Sequence, residues 1–234
     1  PLLPVASLCL LWLPFAPLRF PFAEFLLQIS LRCGMRVMSL LDRIEKYKSL
    51  HTSPITPVNI TFDHRKFIEE YSPYESKETI YEGTGNGSSN CLTSMDGEYI
   101  GNKPELGHPH KKKYNFLKSN KPTEIFRLPS IKHVSEMFDY GRSVITTLRP
   151  QGYFPKHRDV YVPNMLKLLA ITSESKDYIL RMENKRVMVE PGQFYLIDST
   201  IVHEVFALEK VHQFIVVIRF NDKNMKLLLG NELI

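Results

Sequence analysis

Gln193-Phe-Tyr-Leu-Ile-Asp198, His203-Glu-Val-Phe206 and Val211-His-Gln-Phe-Ile-Val-Val-Ile-Arg-Phe220 are short apolar or alternating runs separated only by polar residues. Glu190-Pro191-Gly192 in front of them is a turn signal. Upstream, Arg186–Val189, Asp177–Met182, Met165–Thr172 and Ser143–Pro150 repeat the pattern, the last leading into an expected turn at Gln151-Gly152. Seven or eight strands at this spacing leave no room for helices between them. The pattern predicts an antiparallel double-sheet jelly roll and not a parallel α/β sheet.

His157-Arg158-Asp159 lies inside this strand region, and His203 follows 44 residues after Asp159. Residues i and i+2 of a strand point to one face, so His157 and Asp159 can chelate one ion while Arg158 points away, and a later strand can return His203 over them. Two imidazoles and one carboxylate are the ligand set that holds non-haem Fe(II) with open positions. Taken singly, His157 and Asp159 read as an exposed strand pair and His203 as a histidine satisfied by a backbone carbonyl. Their joint occurrence points to a metal.

Leu148-Arg-Pro-Gln-Gly-Tyr-Phe-Pro-Lys-His-Arg-Asp159, Glu190-Pro-Gly-Gln-Phe-Tyr-Leu-Ile-Asp198, His203-Glu-Val205 and Val217-Ile-Arg-Phe220 together resemble the 2-oxoglutarate and Fe(II)-dependent dioxygenases, within them the aspartyl/asparaginyl β-hydroxylase-like (prolyl hydroxylase-like) branch. The resemblance covers roughly residues 125–222. It implies a mainly β fold with flanking helices (α+β), a double-stranded β-helix of the jelly-roll, cupin-like kind. It implies His157, Asp159 and His203 as catalytic iron ligands, 2-oxoglutarate and O2 as cosubstrates, and hydroxylation of a substrate C–H bond. The family usually carries an Arg ten residues after the distal His to pair with the cosubstrate's 5-carboxylate, and here that position is Gln213, preceded by His212. A neutral amide lacks the guanidinium's charged fork. Lys167, on the strand after the first motif, is the expected replacement. Arg219 follows, although it stands six residues beyond Gln213, roughly 20 Å of strand. Arg181 and His212 are further choices, and Thr147, Tyr153 and Tyr195 offer hydroxyls. Two alternatives stay open: a cupin-like metal enzyme that does not use 2-oxoglutarate, and a non-catalytic jelly-roll binding protein.

At 234 residues the chain has the length to bury one full-sized core, and its 24% charged and 43% hydrophobic content is that of an ordinary globular protein. Cys9, Cys33 and Cys91 are too few and too scattered for a disulfide framework or a zinc motif, which favours a reducing, cytoplasmic setting. The net charge of +5 includes +2 from residues 1–37, too mild to demand nucleic acid. A small molecule, a peptide side chain or a nucleobase all remain open as substrate.

Residues 1–37 are apolar and Pro-rich and are expected to stand outside the folded domain. Pro4, Pro14, Pro17 and Pro21 interrupt any helix and Arg19 cuts the apolar run, which disfavours a membrane span, although an anchor is the alternative. The working chain is expected to start at Met35 or Met38, where an amphipathic helix begins. Residues 38–128 then form a helical and loop region packed on the core, 129–222 the jelly roll and 223–234 a tail. Within that scheme, helices are expected over Asp63–Tyr71, capped by Asp63, and over Ile131–Phe138. Gly83–Ser89 reads as a flexible loop or lid, and His108–Lys113 as a solvated basic loop.

Overall fold

The computed structural model describes residues 53–80, 85–98, 100, 118–159, 165–173 and 176–229. The segment 1–37, the helix expected after Met38, Cys9, Cys33 and the basic run at 108–113 lie outside the described residues. Among the described residues five strands precede the predicted region: β1 (Ile55–Thr61), β2 (Thr79–Ile80), β3 (Gly85–Cys91), β4 (Thr93–Ser94) and β5 (Lys121–Pro122). The predicted region supplies β6 (Val144–His157), β7 (Met165–Ile171), β8 (Tyr178–Met182), β9 (Lys185–Val187), β10 (Gln193–Ile197), β11 (His203–Ala207) and β12 (Val211–Arg219). Among the described residues three α-helices accompany them: α1 (His64–Tyr71), α2 (Lys132–Met137) and α3 (Asp222–Leu229), the last lying where a tail is expected.

Every ladder is antiparallel. The first half of β6 pairs with β12, which continues through β7 and β10 to β1, while the second half pairs with β11, which continues through β8 to β9. One long strand thus leaves one layer and enters the other, and the two layers form a nearly closed double-stranded β-helix. The strand exchange happens at Gln151-Gly152. In place of the expected turn, β6 runs on through a kink with Gln151 at φ 64°, and a Cβ on Gly152 would sit 2.8 Å from the Arg149 carbonyl oxygen. A glycine signal in a strand marks such a bend as readily as a turn.

The burial patterns explain the two kinds of strand. In β8 and β11, buried residues alternate with more exposed ones, because one face of that layer meets solvent. β7 and β12 are buried almost without interruption because both their faces are covered. Inward, Leu169, Ile171, Tyr178, Leu180, Met182, Tyr195, Ile197, Val205 and Val211 fill the space between the layers. On the other face of the β7–β12 layer, Phe194 and Phe214 meet Phe62 and, through Phe214, Phe67 of α1. Asp63 caps α1 by accepting from the Lys66 amide at 3.0 Å, as its sequence predicts, and Phe67 and Tyr71, one helical turn apart, are its buried residues.

The glycine-rich segment departs from expectation. Gly85–Cys91 is strand β3, hydrogen-bonded along the first half of β6. Gly85 lies against the Tyr153 ring, where a Cβ would come within 2.0 Å of the ring carbon Cε1, and a register shift between Gly85 and Gly87 coincides with Asn86 at φ 57°. Glycine here admits a close approach and a bulge in a paired strand.

Candidate metal centre

His157 is the last residue of β6 and His203 the first of β11, and the two stand directly opposite each other in the ladder with ring centroids 4.3 Å apart. Asp159 lies just past the end of β6, its amide held by the Ser199 carbonyl at 2.9 Å. The candidate ligand atoms of the three residues all fall within 4.8 Å of one another. Asp159 Oδ1 is 3.7 Å from His157 Nε2, and Asp159 Oδ2 is 4.0 Å from His203 Nε2.

The hydrogen bonds orient both rings. His157 Nδ1 is 2.6 Å from the Pro155 carbonyl oxygen and His203 Nδ1 is 2.8 Å from that of Ile201. A carbonyl only accepts, so each Nδ1 carries the proton and, in a neutral ring, each Nε2 keeps its lone pair. The repeated arrangement turns two Nε2 atoms toward one carboxylate, a donor set suited to a first-row divalent ion. Burial holds the His203 imidazole below the usual histidine range, aided by the nearby His157 and opposed by the Ile201 carbonyl. Burial pushes the Asp159 carboxyl up, but the charge and hydrogen bond of Lys167, with smaller help from Ser199 and His203, outweigh it and leave the group below the usual carboxylate range.

Lys167 therefore has a definite partner. Its Nζ donates to Asp159 Oδ2 at 2.6 Å, so the residue expected to hold a cosubstrate carboxylate instead holds the carboxylate of the triad. The other expected binding residues are not gathered here. Gln213 is buried and accepts from the Tyr178 hydroxyl at 3.1 Å, and Tyr195 accepts from the Glu190 amide at 2.9 Å. Arg219 donates from Nε to the Tyr140 carbonyl at 3.5 Å and borders a cavity of about 400 Å³ with Asp139, Asn221 and Ser135. Arg181 is exposed and pairs with Glu204 at 3.3 Å, and Tyr153 stacks on Phe206.

His212 and Thr147 belong to a buried polar network next to α1 that the sequence does not announce. His212 Nδ1 is 2.8 Å from Thr147 Oγ1, the ring meets Tyr71 edge-on, and Nε2 lies 3.3 Å from Glu75 Oε1 without the alignment of a hydrogen bond. Glu78 accepts from Tyr71, Ser88 and Thr147, and Asn90 donates to the Tyr71 hydroxyl. His212 and Lys210 draw the Glu75 carboxyl down from 4.5 to about 2 against its burial. A depressed carboxyl contributes stability that is present above 4.5 and lost as pH falls toward about 2. Glu75→Gln is therefore expected to remove on the order of 2 kcal/mol at neutral pH, after allowance for partial exposure, and nearly nothing at the acid end. Urea titrations of both proteins across that window measure it. A constant difference at every pH would refute the ion-pair account.

No family model and no curated protein matches the chain. Among solved structures it is similar to an RmlC-like cupin protein from Desulfovibrio desulfuricans, at 10% identity over 33% of this chain and 70% of that one, with a TM-score of 0.28. The polyketide cyclase RemF from Streptomyces resistomycificus matches at 11% identity over 62% of this chain and 73% of that one, with a TM-score of 0.34. The salicylate 1,2-dioxygenase from Pseudaminobacter salicylatoxidans matches at 13% identity over 36% of this chain and only 22% of that one, with a TM-score of 0.27. The fold is cupin-like. That statement rests on the strand order of this chain, since likenesses this distant say nothing about activity. Among the described residues no helix is long and apolar enough to cross a membrane.

Proposed function

We propose that the chain is a mononuclear metal enzyme on a cupin-like barrel, with Fe(II) held by His157, Asp159 and His203 and 2-oxoglutarate as cosubstrate for hydroxylation of a C–H bond. The observation that supports it best is the matched orientation of the two imidazoles, each with Nδ1–H on the carbonyl two residues before it and Nε2 turned toward Asp159. Bound iron would supply O2 chemistry, coupling oxidative decarboxylation of 2-oxoglutarate to succinate and CO2 to insertion of one oxygen atom into the substrate. The protein's own part is to fix the ring tautomers and to seat Asp159 through its amide. Phe154, its ring 6.4 Å from that of His157, is partly buried against the inner core.

A second reading, a cupin-like metal enzyme that does not use 2-oxoglutarate, draws on one specific observation: Gln213 is bound to Tyr178 and Lys167 to Asp159. Anaerobic titration of the Fe(II)-loaded chain with 2-oxoglutarate separates the readings. A new metal-to-ligand charge-transfer band in the visible range is the expected result. Stoichiometric iron without such a band favours the second reading. Failure to hold iron or any other first-row divalent ion would favour a binding protein.

A further inference from the structure

Lys167 is the polar exception in its row. The inward positions that follow on β7 are Leu169 and Ile171, and its neighbours in the ladder, Ile197 and Val217, are buried and apolar. From this row its ammonium reaches Asp159 Oδ2, the carboxylate oxygen that stands 4.0 Å from His203 Nε2. We propose that Lys167 is a tethered cation that competes with the metal for Asp159, so that the chain's own ammonium limits how tightly the site holds an ion. The inference rests on the metal reading above and adds to it a residue that sets affinity without being a ligand.

The charges give the direction of the effect. Without metal, the Asp159 carboxylate and the Lys167 ammonium face each other beside the two imidazoles. A divalent ion entering among His157, Asp159 and His203 needs the carboxylate that the ammonium already holds. If Lys167 stays, a like charge remains within a few ångströms of the ion. If it swings away, it gives up a charge-assisted hydrogen bond, and its neighbours in the ladder are apolar. Either course weakens metal binding relative to the same site with a neutral side chain.

The test uses the full chain with Lys167→Met, which keeps the length and apolar stem of the lysine, and Lys167→Gln as a second neutral variant should the first fold poorly. Mn(II) titration followed by calorimetry and by electron paramagnetic resonance is the measurement. Either neutral variant is expected to bind Mn(II) on the order of tenfold more tightly than the unaltered chain. Its metal-free form should melt at a lower temperature, and the melting-temperature rise on adding Mn(II) should be larger. In the Asp159→Asn background, loss of the lysine should leave the metal-free melting temperature almost unchanged. A lysine that merely positions Asp159 would give the opposite sign, so equal or weaker Mn(II) affinity in a folded neutral variant overturns the competition while leaving the metal reading intact. Absence of Mn(II) binding in both the unaltered chain and the variants overturns the metal reading, and the competition with it.

Discussion

His203→Ala is expected to reduce the affinity of the chain for Fe(II) or Mn(II) by on the order of a hundredfold or more while leaving the barrel folded. Loss of outer-shell support alone typically costs ten- to a hundredfold in metal affinity, and a directly bound ligand contributes more. His203 is the more buried of the two imidazoles, its side chain 9% exposed against 38% for His157, so water replaces its donor atom less readily. The strand itself does not depend on the ring, because β11 is held by backbone pairing to β6 and β8 on its two sides. Anaerobic metal titration together with thermal melting of the metal-free protein distinguishes a lost ligand from a lost fold. Undiminished affinity in both His203→Ala and His157→Ala would rule out the assignment of the triad.

A second large effect is expected far from the metal centre. Phe67 of α1 is fully buried, with ring contacts to Phe62 at 5.9 Å, Tyr71 at 5.4 Å and Phe214 at 4.8 Å. Phe67→Ala removes the central ring of that cluster and leaves a cavity between α1 and the sheet, at a cost of about 3 to 5 kcal/mol. Chemical denaturation should show a lower midpoint with little change in slope. Metal affinity of the protein that remains folded should be unaltered, because Phe214 and the inward residues Gln213 and Ile215 point to opposite faces of β12. A destabilisation below about 1 kcal/mol would mean that α1 is only loosely seated on the sheet.

Much of the fold is legible from local pattern. The runs at Met165–Thr172, Asp177–Met182, Gln193–Asp198 and Val211–Phe220 all appear as strands, β7, β8, β10 and β12, with ends within a residue or two of their expected places. The Asp63 cap and the short helix after Ser130 are legible for the same reason, since capping and apolar spacing act within one turn of chain. The glycine signals were harder to read. Gly85 and Gly152 suggest a loop and a turn, but Gly85 sits in a paired strand and Gly152 in the bend of β6, because a glycine marks the absence of a side chain without saying whether another ring or a bend of the strand takes the room.

The site divides in the same way. Residue type and spacing marked His157, Asp159 and His203 as candidate ligands, while the folded sheet places Asp159 just past the end of β6 and pairs His203 with His157 across 46 residues of chain. Only the tertiary structure decided the partners of the remaining polar groups. Lys167 meets Asp159, Gln213 meets Tyr178, and His212 lies between Thr147 and Glu75, contacts that join positions 8, 35, 65 and 137 residues apart. A charge or an amide carries no mark of its partner in the chain. Its partner is chosen by which groups the folded layers bring within reach and strip of water, and that is a property of the packed barrel.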